Sequence, residues 1–197
     1  LSNLHAQVIT SETDPKLKRL NGKFDRVLVD APCSGFGTLR RNPDLKWRFE
    51  AADIAELNIK QTAILARAAK LTKAGGRLIY ATCSLLNDEN EAIAEAFLSA
   101  NPEFSLVPAN EVLNQQQIKV DTGNYLKLLP HLHGTDGFFA AVFERKAEAT
   151  KADKAAAEQD AKVPVVSEIA ASEKILKPKA EKPKTTKPKT TKKALPK

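Results

Sequence analysis

Two short apolar runs, each closing on a cysteine and 50 residues apart, constrain this chain more than any other feature. The first reads Phe24-Asp25-Arg26-Val27-Leu28-Val29-Asp30-Ala31-Pro32-Cys33-Ser34-Gly35, the second Arg77-Leu78-Ile79-Tyr80-Ala81-Thr82-Cys83-Ser84. Rich in Val, Ile and Leu and ended by small or turn-forming residues, both read as buried parallel strands. A segment of helical length lies between them, with Asp53 as N-cap and Ile54, Leu57, Ile64, Leu65, Ala68 and Leu71 recurring near the helical period. Gly75-Gly76 stops that helix and turns the chain into the second strand, Arg77 to Thr82. In a strand–helix–strand unit both strand ends open onto one rim, where α/β sheets bind ligands. Two thiols then face one crevice, with the Asp30 carboxylate beside the first. This is the equipment of a nucleophilic enzyme.

The remaining pattern extends the same alternation. His5 to Thr10 reads as a strand, followed by a polar loop through Lys23; Asp25 to Asp30 is a central strand and Ala31 to Lys46 a long loop. Asn87 or Asp88 starts a second helix over Asn90 to Ala100, ended by Asn101-Pro102. Phe104 to Val107 and Phe138 to Arg145 are further strands, and the class is α/β. No stretch approaches the roughly 18 apolar residues of a membrane span, and no signal peptide precedes the first strand. Two cysteines inside strand-and-turn motifs make no disulfide scaffold, so a reducing cytoplasm is the expected location. The three histidines show no metal-ligand spacing, and no metal is expected.

Charge divides the chain. From Leu1 to Arg145 there are 17 basic and 17 acidic residues, and from Lys146 to Lys197 there are 14 and 7, so the formal +7 resides at the C-terminal end. All 11 aromatic residues fall between Phe24 and Phe143. The expected organisation is a domain over residues 1–146 and a basic tail over 147–197. The tail is rich in Ala, Glu and Lys to about Ile175 and becomes a Lys/Pro/Thr run from Lys177. Proline and mutually repelling lysines predict disorder there. Such a polycation either associates with phosphate backbones or only solubilises the domain.

A free cysteine is most often a small buried apolar residue. Here both lie just past strand termini, Pro32 rigidifies the first loop, and the second precedes a helix whose N-terminal dipole favours a thiolate. A redox dithiol would be a close Cys-x-x-Cys pair, which this spacing does not match.

Four motifs in register carry a family resemblance. Asp30-Ala31-Pro32-Cys33-Ser34-Gly35, Arg40-Arg41-Asn42-Pro43-Asp44-Leu45-Lys46-Trp47, Tyr80-Ala81-Thr82-Cys83-Ser84 and His133-Gly134-Thr135-Asp136-Gly137-Phe138-Phe139-Ala140 together resemble the RNA cytosine-C5 methyltransferases of the Sun/RsmB family. The resemblance implies a Rossmann-like fold, S-adenosylmethionine as methyl donor, and small-subunit (16S) ribosomal RNA as substrate. It makes Cys83 the nucleophile on carbon 6 of cytosine and Cys33 the thiol that assists product release. Asp30 becomes the strand-end aspartate beside cofactor and base, with Pro32 next to the cofactor. The bland alternative for Asp30 is a loop cap.

Arg40, Arg41 and Lys46 form a basic loop suited to RNA phosphates, with Trp47 beside them as either a packed anchor or a stacking platform. His133, in a Gly-rich turn, is read as structural. The resemblance also implies that the chain begins after the family's Gly-rich cofactor loop, with two sheet strands absent; Glu12 or Asp14 is then the acidic residue nearest the cofactor. On that basis the isolated piece is expected neither to fold stably nor to methylate. Two other readings stand beside it. One is a non-catalytic RNA-binding remnant of a methyltransferase fold. The other is an amino-group methyltransferase, against which Asp-Ala-Pro-Cys and the second thiol argue.

Overall fold

The computed structural model describes residues 3–9 and 14–147. The elements in chain order are α1 (Pro15–Lys18), β1 (Phe24–Asp30), α2 (Ala51–Leu71), β2 (Thr72–Thr82), α3 (Glu91–Ala100), β3 (Phe104–Val107), α4 (Ala109–Gln115), β4 (Leu126–Leu128), α5 (Pro130–His133) and β5 (Phe138–Arg145). Short 3-10 turns lie at Phe36–Thr38, Pro43–Trp47 and Asn87–Glu89. The sheet order is β1-β2-β5-β3, with β4 also on β5. β1 and β2 run parallel, and β5 is antiparallel to β2, β3 and β4.

The α2 crossover makes β1 and β2 parallel neighbours and brings their C-terminal ends to one rim. Val27, Leu78 and Phe143 align across three strands, as do Val29, Tyr80 and Ala141. This face packs on Leu65, Ala68 and Ala69 of α2 and on Ile93, Ala94 and Phe97 of α3. Phe97 stacks at 4.8 Å from Phe143 and 5.2 Å from Phe104, ring centre to ring centre, which fixes α3 over β5 and β3. The helical period places Leu57, Gln61, Leu65 and Ala68 on one side of α2, and three of these four are buried.

Several expectations change. His5 to Ile9 forms no strand: no described strand pairs with it, and Leu4 and Val8 lie open to solvent. Among the described strands β1 lies at the sheet edge rather than at its centre, and of its residues only Val29 is buried, with Leu28 67% exposed. A run of Val and Leu marks strand character, but not whether a second layer covers both faces. Helix α2 starts at Ala51, with Glu50 as N-cap; Asp53 sits at the third position and accepts the Glu50 N–H at 2.8 Å, a capping-box contact. β2 begins at Thr72 and runs through Gly75-Gly76, where the pairing with β1 shifts register. The second helix starts at Glu91, after the Asn87–Glu89 turn. No described helix is long and apolar enough to cross a membrane. The tail from residue 148 onward, and Glu12, lie outside the described residues.

Candidate active site

Asp30 stands opposite Ala81 in the last register pair of β1 and β2, and the Ala31 N–H still donates to the Ala81 carbonyl at 2.9 Å. From there the two loops leave the sheet side by side. The offset of 50 persists beyond the strands: Cys33 Sγ lies 3.5 Å from Cys83 Sγ, and Ser34 Oγ lies 3.2 Å from Ser84 Oγ. The thiols are half-buried and the serines buried.

A carboxylate holds the serines. Glu89, fully buried, accepts the Ser34 N–H at 2.9 Å, the Ser34 hydroxyl at 2.5 Å, the Ser84 hydroxyl, and Gln61 Nε2 at 3.0 Å. Gln61 Nε2 also donates to the Pro32 carbonyl at 2.9 Å, tying the first loop to α2. The Glu89 carbonyl accepts the Tyr80 hydroxyl at 2.6 Å. On the second loop, Thr82 Oγ1 donates to Asn90 Oδ1 at 2.6 Å, and Asn90 Nδ2 donates to the Ser84 carbonyl at 3.0 Å.

The roof is backbone on backbone. Gly37 N–H donates to the Cys83 carbonyl, and Gly137 N–H to the Gly37 carbonyl, both at 2.8 Å. A side chain on Gly37 would place its Cβ 2.6 Å from the Cys83 carbonyl oxygen and against the Gly137 carbonyl. The two glycines permit this approach. Two ion pairs brace the outer rim: Asp136 Oδ1 takes Arg40 Nε at 2.5 Å and Oδ2 takes Arg41 Nε at 2.6 Å. The Arg41 and then the Arg40 guanidinium hold the Asp136 carboxyl below the usual carboxylate range.

Burial, and then the Cys83 thiol beside it, push the Cys33 thiol up to about 12. Cys33 therefore keeps its proton at neutral pH. Asp30 is exposed at the end of the edge strand, and its carboxylate has no hydrogen-bond or ion-pair partner among the described residues, which is not the arrangement of a loop cap. Asp14 caps α1 through its contact with the Lys16 N–H at 2.9 Å. Trp47 is no packed anchor: it is 82% exposed, with Lys46 Nζ 4.9 Å from its ring centre. His133 Nδ1 contacts the Leu129 N–H at 2.9 Å, closing the short α5. The residues after Cys83 are not helix N-terminal amides, because α3 begins only at Glu91. The structure thus brings Cys33 and Cys83 together and leaves Asp30, Arg40, Arg41 and Lys46 exposed on the surface.

A family described as 16S rRNA methyltransferase RsmB/F matches residues 1–144. The chain belongs to that family. A probable ribosomal RNA small subunit methyltransferase B from Synechocystis sp. (strain ATCC 27184 / PCC 6803 / Kazusa) is 46% identical over 129 residues, covering 66% of this chain and 29% of that protein. A protein of the same description from Bacillus subtilis (strain 168) is 42% identical over 128 residues, 64% of this chain and 28% of its own length. The solved structure of NSun6 from Pyrococcus horikoshii with SFG matches with a TM-score of 0.53 at 28% identity, over 68% of this chain and 33% of that one. The chain spans under a third of the length of these curated relatives. Its mixed sheet belongs to the Rossmann-like fold of S-adenosylmethionine-dependent methyltransferases.

In this RsmB/F chain, the buried polar residues Gln61 and Glu89 lie outside the four sequence motifs, while Ser34 and Ser84 lie inside two of them with no role read from sequence. Two signals mark them. The dipeptide Cys-Ser occurs twice, at 33–34 and 83–84, and Gln61 interrupts the apolar stripe of α2. Nothing in Asn87-Asp88-Glu89-Asn90-Glu91 singles out its middle carboxylate.

Proposed function

We propose that this chain carries the thiol chemistry of an RNA cytosine-C5 methyltransferase acting on small-subunit ribosomal RNA. The observation that supports it is the pair of thiols 3.5 Å apart on one rim, one of them held protonated. Carbon 5 of cytosine is a poor nucleophile. A Cys83 thiolate bonding to carbon 6 moves the ring's electron pair onto carbon 5, which then attacks an electrophilic methyl. Loss of the carbon-5 proton to a base returns the pair and breaks the carbon–sulfur bond. Cys33, still carrying its proton beside Cys83, is placed to steady the departing thiolate with an S–H hydrogen bond.

S-adenosylmethionine, when bound, supplies the methyl on a sulfonium. Of the residues described, Asp30 and Pro32 would hold it: an unpartnered carboxylate at a strand end suits a hydroxyl or amino donor. They offer one edge of such a site, since both stand exposed at the end of an edge strand. The Asp30 carboxylate also accepts a cytosine amino group, which disfavours uracil. Arg40, Arg41 and Lys46 face RNA phosphates, and the exposed Trp47 ring stacks a splayed base.

The test uses the full-length protein with its ribosomal RNA. Cys83→Ala abolishes methyl transfer while leaving RNA binding intact. Cys33→Ala accumulates an RNA–protein adduct that survives denaturing electrophoresis. Methyl transfer persisting in Cys83→Ala refutes the assignment and favours amino-group methylation; RNA binding without methyl transfer in the wild type favours a binding role.

A further inference from the structure

We infer that Glu89 is the positioning residue of the thiol pair: its buried carboxylate bridges the residues directly following Cys33 and Cys83 and so sets the distance between the two sulfurs. The catalytic meaning of this rests on the proposed methyl transfer; the geometry does not. Ser34 and Ser84 each follow a cysteine, so whatever fixes them fixes the loop that aims the thiol. Glu89 grips the first loop by both backbone N–H and hydroxyl, and the second by its hydroxyl. The serine hydroxyls also meet each other at 3.2 Å, closing a triangle of polar groups beneath the sulfurs. Gln61 supplies a further donor, and through the Pro32 carbonyl it locks the start of the first loop to α2. The Tyr80 hydroxyl pins the Glu89 backbone to β2, two residues before the strand ends. A carboxylate suits this place because all four groups around it donate. A glutamine keeps the volume but replaces one acceptor oxygen by an amide that only donates.

Thiol separation is read with phenylarsine oxide, which condenses with two neighbouring thiols, forming two As–S bonds and releasing one water. In the full chain, wild type binds one equivalent, and Cys33→Ser abolishes this. Glu89→Gln weakens binding about tenfold or more, the effect of losing a buried hydrogen bond to a charged group. Ser84→Ala, which leaves the carboxylate in place, weakens it in the same direction and carries the test if Glu89→Gln fails to fold. Ile93→Ala, in the α3 core, lowers the melting temperature without altering arsenical affinity. With ribosomal RNA as substrate, Glu89→Gln lowers kcat and leaves KM for RNA unchanged. Arsenical affinity unchanged in folded Glu89→Gln or in Ser84→Ala overturns the inference, as does a loss in Ile93→Ala equal to that in Glu89→Gln. Methyl transfer by Cys83→Ala would overturn the catalytic reading alone, since the arsenical measurement does not depend on it.

Discussion

Cys33 and Cys83 each stand two positions after an alanine and directly before a serine, and the surroundings of Cys33 raise its thiol. Burial is the larger cause of the upward shift at Cys33 and the hydrogen bond with Cys83 the second. The folded thiol therefore holds its proton from the free value of 9.0 up to about 12, while the unfolded chain releases it near 9.0. A group whose folded pKa is raised contributes its stability below the unfolded value and loses it as pH rises through that window. We predict that wild type loses stability between pH 9 and 11 and that Cys33→Ala flattens this loss, measured by urea melts across that range. Iodoacetamide labelling of Cys33, followed by peptide mass mapping, should still be accelerating at pH 10. A plateau of Cys33 labelling below pH 9 would contradict the assignment. That the two thiols share one crevice follows from the strand–helix–strand reading; their separation of 3.5 Å follows from the in-register pairing of β1 and β2.

The loops, more than the strands, are the elements that define this site, and they are held by backbone approach. Gly37→Ala drives a Cβ into two carbonyl groups, those of Cys83 and Gly137, and backbone cannot rotate aside as a side chain would. The expected cost is that of overpacking, about 1–3 kcal/mol in a urea melt, together with a change in the reactivity of Cys83. A Gly37→Ala protein as stable as wild type would show that the three loops are not locked. This also marks where legibility ended. The two strands, the long helix, the second helix and the last strand follow from apolar period and turn residues, and their bounds fall within three positions of expectation except the start of β2, which lies five residues earlier. The place of β1 at the sheet edge and the exposure of Trp47 do not, because both depend on which layers cover them. Gly37 and Gly137 read only as turn residues in sequence; their role is a contact between segments 100 positions apart. The same holds for Arg40 and Arg41, whose charges Asp136 offsets across the rim.

Across the whole chain, charge is separated from chemistry. Residues 1–145 carry equal numbers of basic and acidic side chains, and Arg40 and Arg41 already share the Asp136 carboxylate. On the proposed function, the C-terminal segment is the cationic part of this chain available for long-range attraction to RNA: residues 177–197 carry nine lysines against one glutamate. A polycation neutralises phosphates without reading bases, so it raises affinity for every RNA equally. Choice of nucleotide would rest instead with the short-range groups at the rim: the Asp30 carboxylate, the thiols and the open Trp47 ring. Removing residues 177–197 should therefore weaken binding to cognate and unrelated RNA alike. Each phosphate that is no longer neutralised flattens the dependence of log affinity on log salt by about 0.7 on a single strand, so removing most of the lysines flattens it by as much as about 6. The ratio of cognate to unrelated affinity should stay fixed. Filter binding over a salt series with both RNAs measures the two quantities together. If truncation changes that ratio while the salt slope holds, the tail reads the RNA, and the division between a neutral chemical domain and a cationic anchor is wrong.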